Sequence, residues 1–107
     1  MRLLSALLTS AVLCLPAAAS AETYEESFSR IVMQMHRDMG ATSTGDPDVD
    51  FAAGMIPHHA GAVAMAELVL EHGSDPELRA LAETIIATQS AEIAFLEAWL
   101  AENAPQN

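Results

Sequence analysis

The chain has 107 residues, with 15 Asp and Glu against only 4 Lys and Arg, and a formal net charge of −11 at pH 7. This length corresponds to one domain. The acidic balance excludes the cationic surface that nucleic acids and anionic membranes require. Hydrophobic residues make up 51% of the chain, too many for a disordered acidic segment. We therefore expect one small folded domain with no nucleic-acid partner.

Residues 1–21 have the pattern of a secretory signal peptide. Arg2 precedes an apolar run from Leu3 to Leu15, and Ala19-Ser20-Ala21 is an A-x-A cleavage site. The apolar run is short for a membrane span, so we expect no stable membrane anchor. The prediction is a periplasmic or secreted protein, cleaved near Ala21. Residues 22–107 contain no cysteine, which excludes disulfides, thiolate zinc sites and cysteine nucleophiles.

Helical periodicity predicts an all-α fold, an antiparallel bundle of about three helices. The helices are expected at about residues 24–39, 48–72 and 76–101. The short connection between the second and third predicts that these two form an antiparallel hairpin. No strand pattern and no internal repeat is found, so residues 22–107 are expected to form a single helical domain.

Cap residues and inward faces can also be predicted. Capping-box pairs are Thr23 with Glu26, and Ser74 with Glu77. Pro57 is expected to bend the second helix. Each helix has one row of residues predicted to face the core: Phe28, Ile31, Val32, Met35 and Met39 in the first; Phe51, Met55, His58, Ala62, Met65, Val69 and His72 in the second; Leu78, Ala82, Ile85, Gln89, Glu92, Leu96 and Trp99 in the third.

A first cluster of candidate metal ligands lies at the end of the first helix. Met33, Met35, His36 and Met39 occur within seven residues. Met35 and Met39 coincide with the predicted inward face, so one interpretation is that they are core methionines. The addition of Met33 and His36 favours a second interpretation, in which thioethers and an imidazole form a metal site.

A second cluster lies around the proline of the second helix. It consists of Met55, His58, His59 and Met65. His58 is expected at the centre of the inward face, with His59 rotated by about 100°. One interpretation is a buried histidine paired with Gln89 or Glu92, because buried polar groups need partners. The other is a metal ligand that the same polar groups orient, and the two interpretations are compatible.

The donor chemistry favours copper. Thioether sulfur is a soft, neutral donor that favours Cu(I), and imidazole also accepts Cu(II) or zinc. Magnesium, calcium and manganese prefer oxygen ligands. Thioethers do not form disulfides, which suits an oxidising compartment.

The sequence also resembles a known family. The run from Asp50 to His59, the later Gln89-Ser90-Ala91-Glu92-Ile93, and the earlier M-x-M-H-x-x-M motif are similar to the domain of unknown function 305 family. The resemblance implies a ferritin-like helical domain, usually exported. It also implies copper binding by Met and His, since some relatives are periplasmic copper-binding proteins linked to copper resistance. Phe95 stands where relatives often carry another methionine.

The leading hypothesis is a periplasmic copper-binding protein that acts in copper sequestration, transfer or resistance. The alternative is a small helical interaction module with a methionine-rich docking face and no metal role. No E-x-x-H, H-E-x-x-H or G-x-S-x-G motif occurs, so we do not expect an enzyme. Expected partners are the metal ion, a second copy of the chain in a homodimer and a copper-handling protein. The predicted metal ligands are Met33, Met35, His36, Met39, Met55, His58, His59 and Met65.

Overall fold

Three helices make up the fold. The computed structural model describes residues 20–105. Within that range the helices are α1 (Tyr24–Asp38), α2 (Pro47–His72) and α3 (Pro76–Asn103), and no strand is present. The prediction of an all-α bundle of three helices is confirmed, with boundaries within three residues of those expected. α2 continues through Pro57 without a break in its helical assignment.

Side-chain caps fix where the helices begin. The capping box of Thr23 and Glu26 is present at α1 as predicted. The second predicted capping box is wrong, because α3 is capped by Asp75 rather than Ser74. The Asp75 carboxylate accepts a hydrogen bond from the backbone N–H of Leu78 at 2.9 Å. Pro76 already occupies the first turn of the helix, so the capping residue is the one directly before it.

α2 is the central helix of the three. α3 packs against one side of it as an antiparallel hairpin, with Glu92 beside His59 and Arg79 at the carbonyl of Leu70. α1 packs against another side, also antiparallel, with the ring of Tyr24 5.5 Å from that of His72. Within the described residues α1 does not contact α3. The hairpin of the second and third helices is confirmed.

The core is thin. Among the described residues no side chain is fully buried, and the buried apolar side chains are small in number: Ile31, Val49, Ala52, Ala66, Leu68, Ala82 and Leu96. The predicted inward face of α1 is wrong in part, because Phe28, Val32 and Met39 are exposed. Ile31 faces α2 as predicted, together with Ser27, which was not predicted. The physical reason is that α1 has a single neighbour, which can cover only a narrow strip of its surface.

The predicted signal peptide lies almost entirely outside the described residues. Its last two positions, Ser20 and Ala21, precede α1 in non-helical backbone. Between residues 20 and 105, no helix combines the length and the apolar character that a membrane span requires.

Candidate metal centre

His59 is the buried histidine of α2. It is 8% exposed, and its Nε2 lies against Oε2 of Glu92 on α3. Because an ionised carboxylate can only accept, Nε2 is the donor of this hydrogen bond. Its other ring nitrogen, Nδ1, is buried and has no hydrogen-bond partner. With Nε2 as the donor, Nδ1 carries the lone pair of the neutral imidazole. A carboxylate on one ring nitrogen and a free lone pair on the other is the arrangement typical of histidines that bind metals.

A groove of about 320 Å³ opens beside this histidine. Met55 lines it one helical turn before His59, and Glu92 lines it from α3. The apolar walls are supplied by Phe51, Phe95 and Leu96. Met55 and His59 are four residues apart in α2, so their side chains lie on one face of the helix. The groove therefore brings together a thioether, an imidazole and a carboxylate.

His58 does not lie where the sequence analysis placed it. It is exposed, and the buried position that was predicted for it belongs to His59. The ring centroids of the two histidines are 5.8 Å apart. The reason is that α2 has neighbours on two nearly opposite sides, and residue 59 rather than residue 58 points at α3. The predicted pairing with Glu92 is present, but it belongs to His59.

The α1 cluster is divided between the α1–α2 contact and solvent. The side chain of Met35 lies directly against Gly61 of α2, which has no β-carbon to exclude it. Met33 and Met39 are 59% and 49% exposed, and His36 is also exposed. Only Met35 of this cluster is thus held by tertiary contacts; it also lines a cavity of about 120 Å³ between α1 and α2.

The two predicted clusters form separate groups. Met35 meets α2 at Gly61, whereas His59 faces α3, about 160° away around the helix. Met65 is half-buried and lies nearer to the C-terminal end of α2 than Gly61 and His59 do. Of the predicted ligands, Met55 and His59 are therefore the two that line one groove together.

Nitrogen and oxygen ligands alone do not assemble a metal site in residues 20–105: three His, Asp or Glu side chains do not gather at any point there. The sequence analysis did not predict the aromatic walls contributed by Phe51 and Phe95. The spacing of Met55 and His59, four residues apart in a helix, is the signal that could have indicated this groove.

Comparison with known proteins gives two matches. The family model described as a domain of unknown function (DUF305) matches residues 48–107. These residues include all of α2 except Pro47, all of α3 and the whole groove. An uncharacterised protein of Acanthamoeba polyphaga mimivirus is 37% identical over 60 residues, which are 56% of this chain and 40% of that protein. The chain thus spans less than half of that relative's length.

Proposed function

The chain belongs to the DUF305 family, and from the chemistry of its groove we propose that it is an exported protein that binds copper as Cu(I). The ligands proposed at the groove are the thioether of Met55 and the imidazole of His59. The role would be sequestration or transfer of copper rather than catalysis. The family description names no activity, so the proposal rests on the residues of this chain.

One observation carries the proposal: the unpartnered Nδ1 of His59. A buried polar atom without a hydrogen bond costs about 1–3 kcal/mol, and the histidine that has this atom lines a groove that also contains a thioether. A metal ion bound to Nδ1 would remove that cost. The hydrogen bond to Glu92 would then hold the ring in the tautomer and orientation that ligation requires.

The identity of the metal follows from the donors. Methionine sulfur is soft and uncharged, which favours Cu(I) over zinc or Cu(II). The groove walls of Phe51 and Phe95 are apolar, and such walls limit the access of water to a bound ion. The acidic surface of the chain would raise the local concentration of cations without selecting among them.

The α1 cluster would supply a second, more accessible group of donors. Met33, His36 and Met39 face solvent near the end of α1. Copper bound by exposed thioethers passes to the ligands of a partner more readily than copper bound in a buried site. We propose that this group receives or passes on copper, including to a copper-handling protein.

The test is an anaerobic Cu(I) titration against a competing chelator, with Met55→Leu as the variant. Leucine conserves volume and helix propensity, so the fold should be retained. The affinity should fall tenfold or more, or about 1.4 kcal/mol, while zinc affinity falls less. Met33→Leu removes a thioether outside the groove and serves as the comparison. Unchanged affinity in Met55→Leu, or a loss confined to Met33→Leu, would contradict the groove as the site.

A further inference from the structure

One side of the α2–α3 hairpin is apolar and uncovered. We call it the hairpin face. Its most exposed large apolar side chains are Phe51 on α2 and Phe95 on α3, at 64% and 66%, followed by Leu81. The face is made of two rows of residues: Phe51, Met55, His58, Ala62, Met65 and Val69 on α2, with Leu81, Ile85, Thr88, Glu92, Phe95 and Trp99 on α3.

The two rows lie on the same side of the hairpin. Phe51 of α2 shares one surface groove with Phe95 and Trp99 of α3, and a second groove with Glu92. α1 packs on α2 around Gly61 and Pro57, away from most of these rows, and it reaches them only where Tyr24 lies beside Val69 near the end of α2. No helix among the described residues covers this face.

Residues in both rows recur at alternating intervals of four and three. This 3.5-residue period is typical of helices that pack lengthwise against each other with knobs-into-holes contacts. The period extends over most of both helices. The matching surface is a second pair of antiparallel helices with the same period. This chain itself contains such a pair.

We infer that the hairpin face is the interface with a second copy of this chain, so that two hairpins form a four-helix core. The inference goes beyond the proposed copper function and does not rest on it, although the copper groove lies within this face, so that a second copy would also cover Met55 and His59. Two-fold pairing is favoured because the same patch can be used on both copies.

The size of the face is sufficient for a specific dimer. The two rows run over residues 51–69 and 81–99, about 27 Å of helix each, and two adjacent helices are about 20 Å wide. The face is therefore about 540 Å², so that two copies would bury about 1,100 Å², just above the area of about 1,000 Å² that a specific interface needs. A second copy would also supply the missing depth of the core, since no described side chain is fully buried in one chain.

The charge distribution also favours a second copy over a different partner. The chain is strongly acidic, yet the two rows contain one carboxylate, that of Glu92, which is already engaged by His59. Asp48 borders the face, where it lines the groove of Phe51 and Phe95. Other acidic residues of the hairpin, such as Glu67 and Glu83, lie outside the two rows and are exposed. Few carboxylates therefore oppose the approach of two copies through this face.

The experiment compares two double variants of the full chain by sedimentation velocity, with a chelator present so that metal plays no part. Leu81→Glu with Phe95→Glu places charges on the hairpin face. Ala80→Glu with Ala94→Glu introduces the same charges at exposed neighbouring positions of α3 on the other side. At about 10 μM we expect the wild type and the Ala variant to sediment as dimers and the face variant as a monomer.

A second measurement covers the case in which the face variant does not fold. The melting temperature of a dimer rises with protein concentration, whereas that of a monomer does not. We expect the wild-type melting temperature to increase between about 2 and 200 μM. A wild type that is monomeric with a concentration-independent melting temperature would overturn the inference. Equal dissociation of both double variants would also overturn it, because the effect would then be one of charge alone.

Discussion

The side chain of Met35 fills the space that a β-carbon on Gly61 would need. A β-carbon built at position 61 would overlap the Met35 sulfur. This close approach sets the distance between α1 and α2. It also holds the thioether of Met35 against the backbone of α2, apart from the three other donors of its cluster.

Two glycines of α2 provide a matched test of this contact. Gly54→Ala meets nothing within 4 Å, so the variant should be more stable by about 0.5–1 kcal/mol through helix propensity. Gly61→Ala gains the same propensity but must displace Met35, which we expect to cost about 1–3 kcal/mol. In thermal unfolding, the melting temperature of Gly54→Ala should lie above that of the wild type. The melting temperature of Gly61→Ala should lie below that of Gly54→Ala. Equal stabilisation by both would show that Met35 moves aside freely.

A methionine at position 95 should strengthen copper binding. Phe95 lines the groove with Met55 and His59, so Phe95→Met would add a second thioether to the same space. We expect the Cu(I) affinity to rise at least fivefold in competition titrations, with little change for zinc. Phe28→Met adds a thioether at another exposed aromatic position, outside the groove, and should leave the affinity within twofold. A gain of the same size in both variants would argue against a site in the groove.

Asp50 should make the start of α2 sensitive to acid. Hydrogen bonds from the hydroxyl of Ser43 and from the N–H and hydroxyl of Thr44 lower the pKa of this carboxyl from 3.8 to about 2. Because the folded pKa lies below the unfolded one, the carboxylate stabilises the fold fully above about pH 4. That stabilisation is lost as the pH falls towards 2.

The titration can be followed by NMR of the Asp50 side-chain carbon. Ser43→Ala removes the largest contribution and should raise the pKa of Asp50, whereas Ser29→Ala, an exposed serine of α1, should not change it. A wild-type midpoint near 3.8 would contradict the hydrogen bonding described for the loop.

Arg79 should contribute more to stability than an ordinary surface arginine. Its Nη1 donates to the carbonyl oxygens of Leu70 at 2.8 Å and Gly73 at 3.0 Å, at the end of α2. These carbonyls lack partners within the helix, and a cation there also interacts favourably with the helix dipole. Arg79→Met should lower the free energy of unfolding by about 1–2 kcal/mol. Arg37→Met should change it by less than about 0.5 kcal/mol, because Arg37 is exposed and bonds to Gln34 on the surface.

The helices could be predicted from the sequence because their signals are local. Apolar periodicity, the Thr23 cap and Gly73 after α2 depend on neighbouring residues, and all of these are present in the structure. Which side of α2 meets α3 depends instead on the packing of whole helices. The prediction therefore placed His58 in the core, one residue away from the histidine that α3 covers.

The candidate site could be predicted in its residue types but not in its grouping. Met55 and His59 were identified from sequence, and the structure places them in one groove. The sequence could not show that Met35 lies on another side of α2, because this follows from the α1–α2 contact at Gly61. The choice of Ser74 over Asp75 as the cap of α3 failed for a local reason, because both residues lie within two positions of Pro76.

The attachment of α1 to a single neighbour has a consequence for how the molecule opens. Undocking α1 breaks its contacts with α2 and leaves the α2–α3 hairpin intact. The amide hydrogens of α1 should therefore exchange with solvent well before those of α2 and α3. Residues 39–46 connect α1 and α2 and are polar for the most part. This segment would allow an undocked α1 to pack against α2 of another molecule, which is a domain swap.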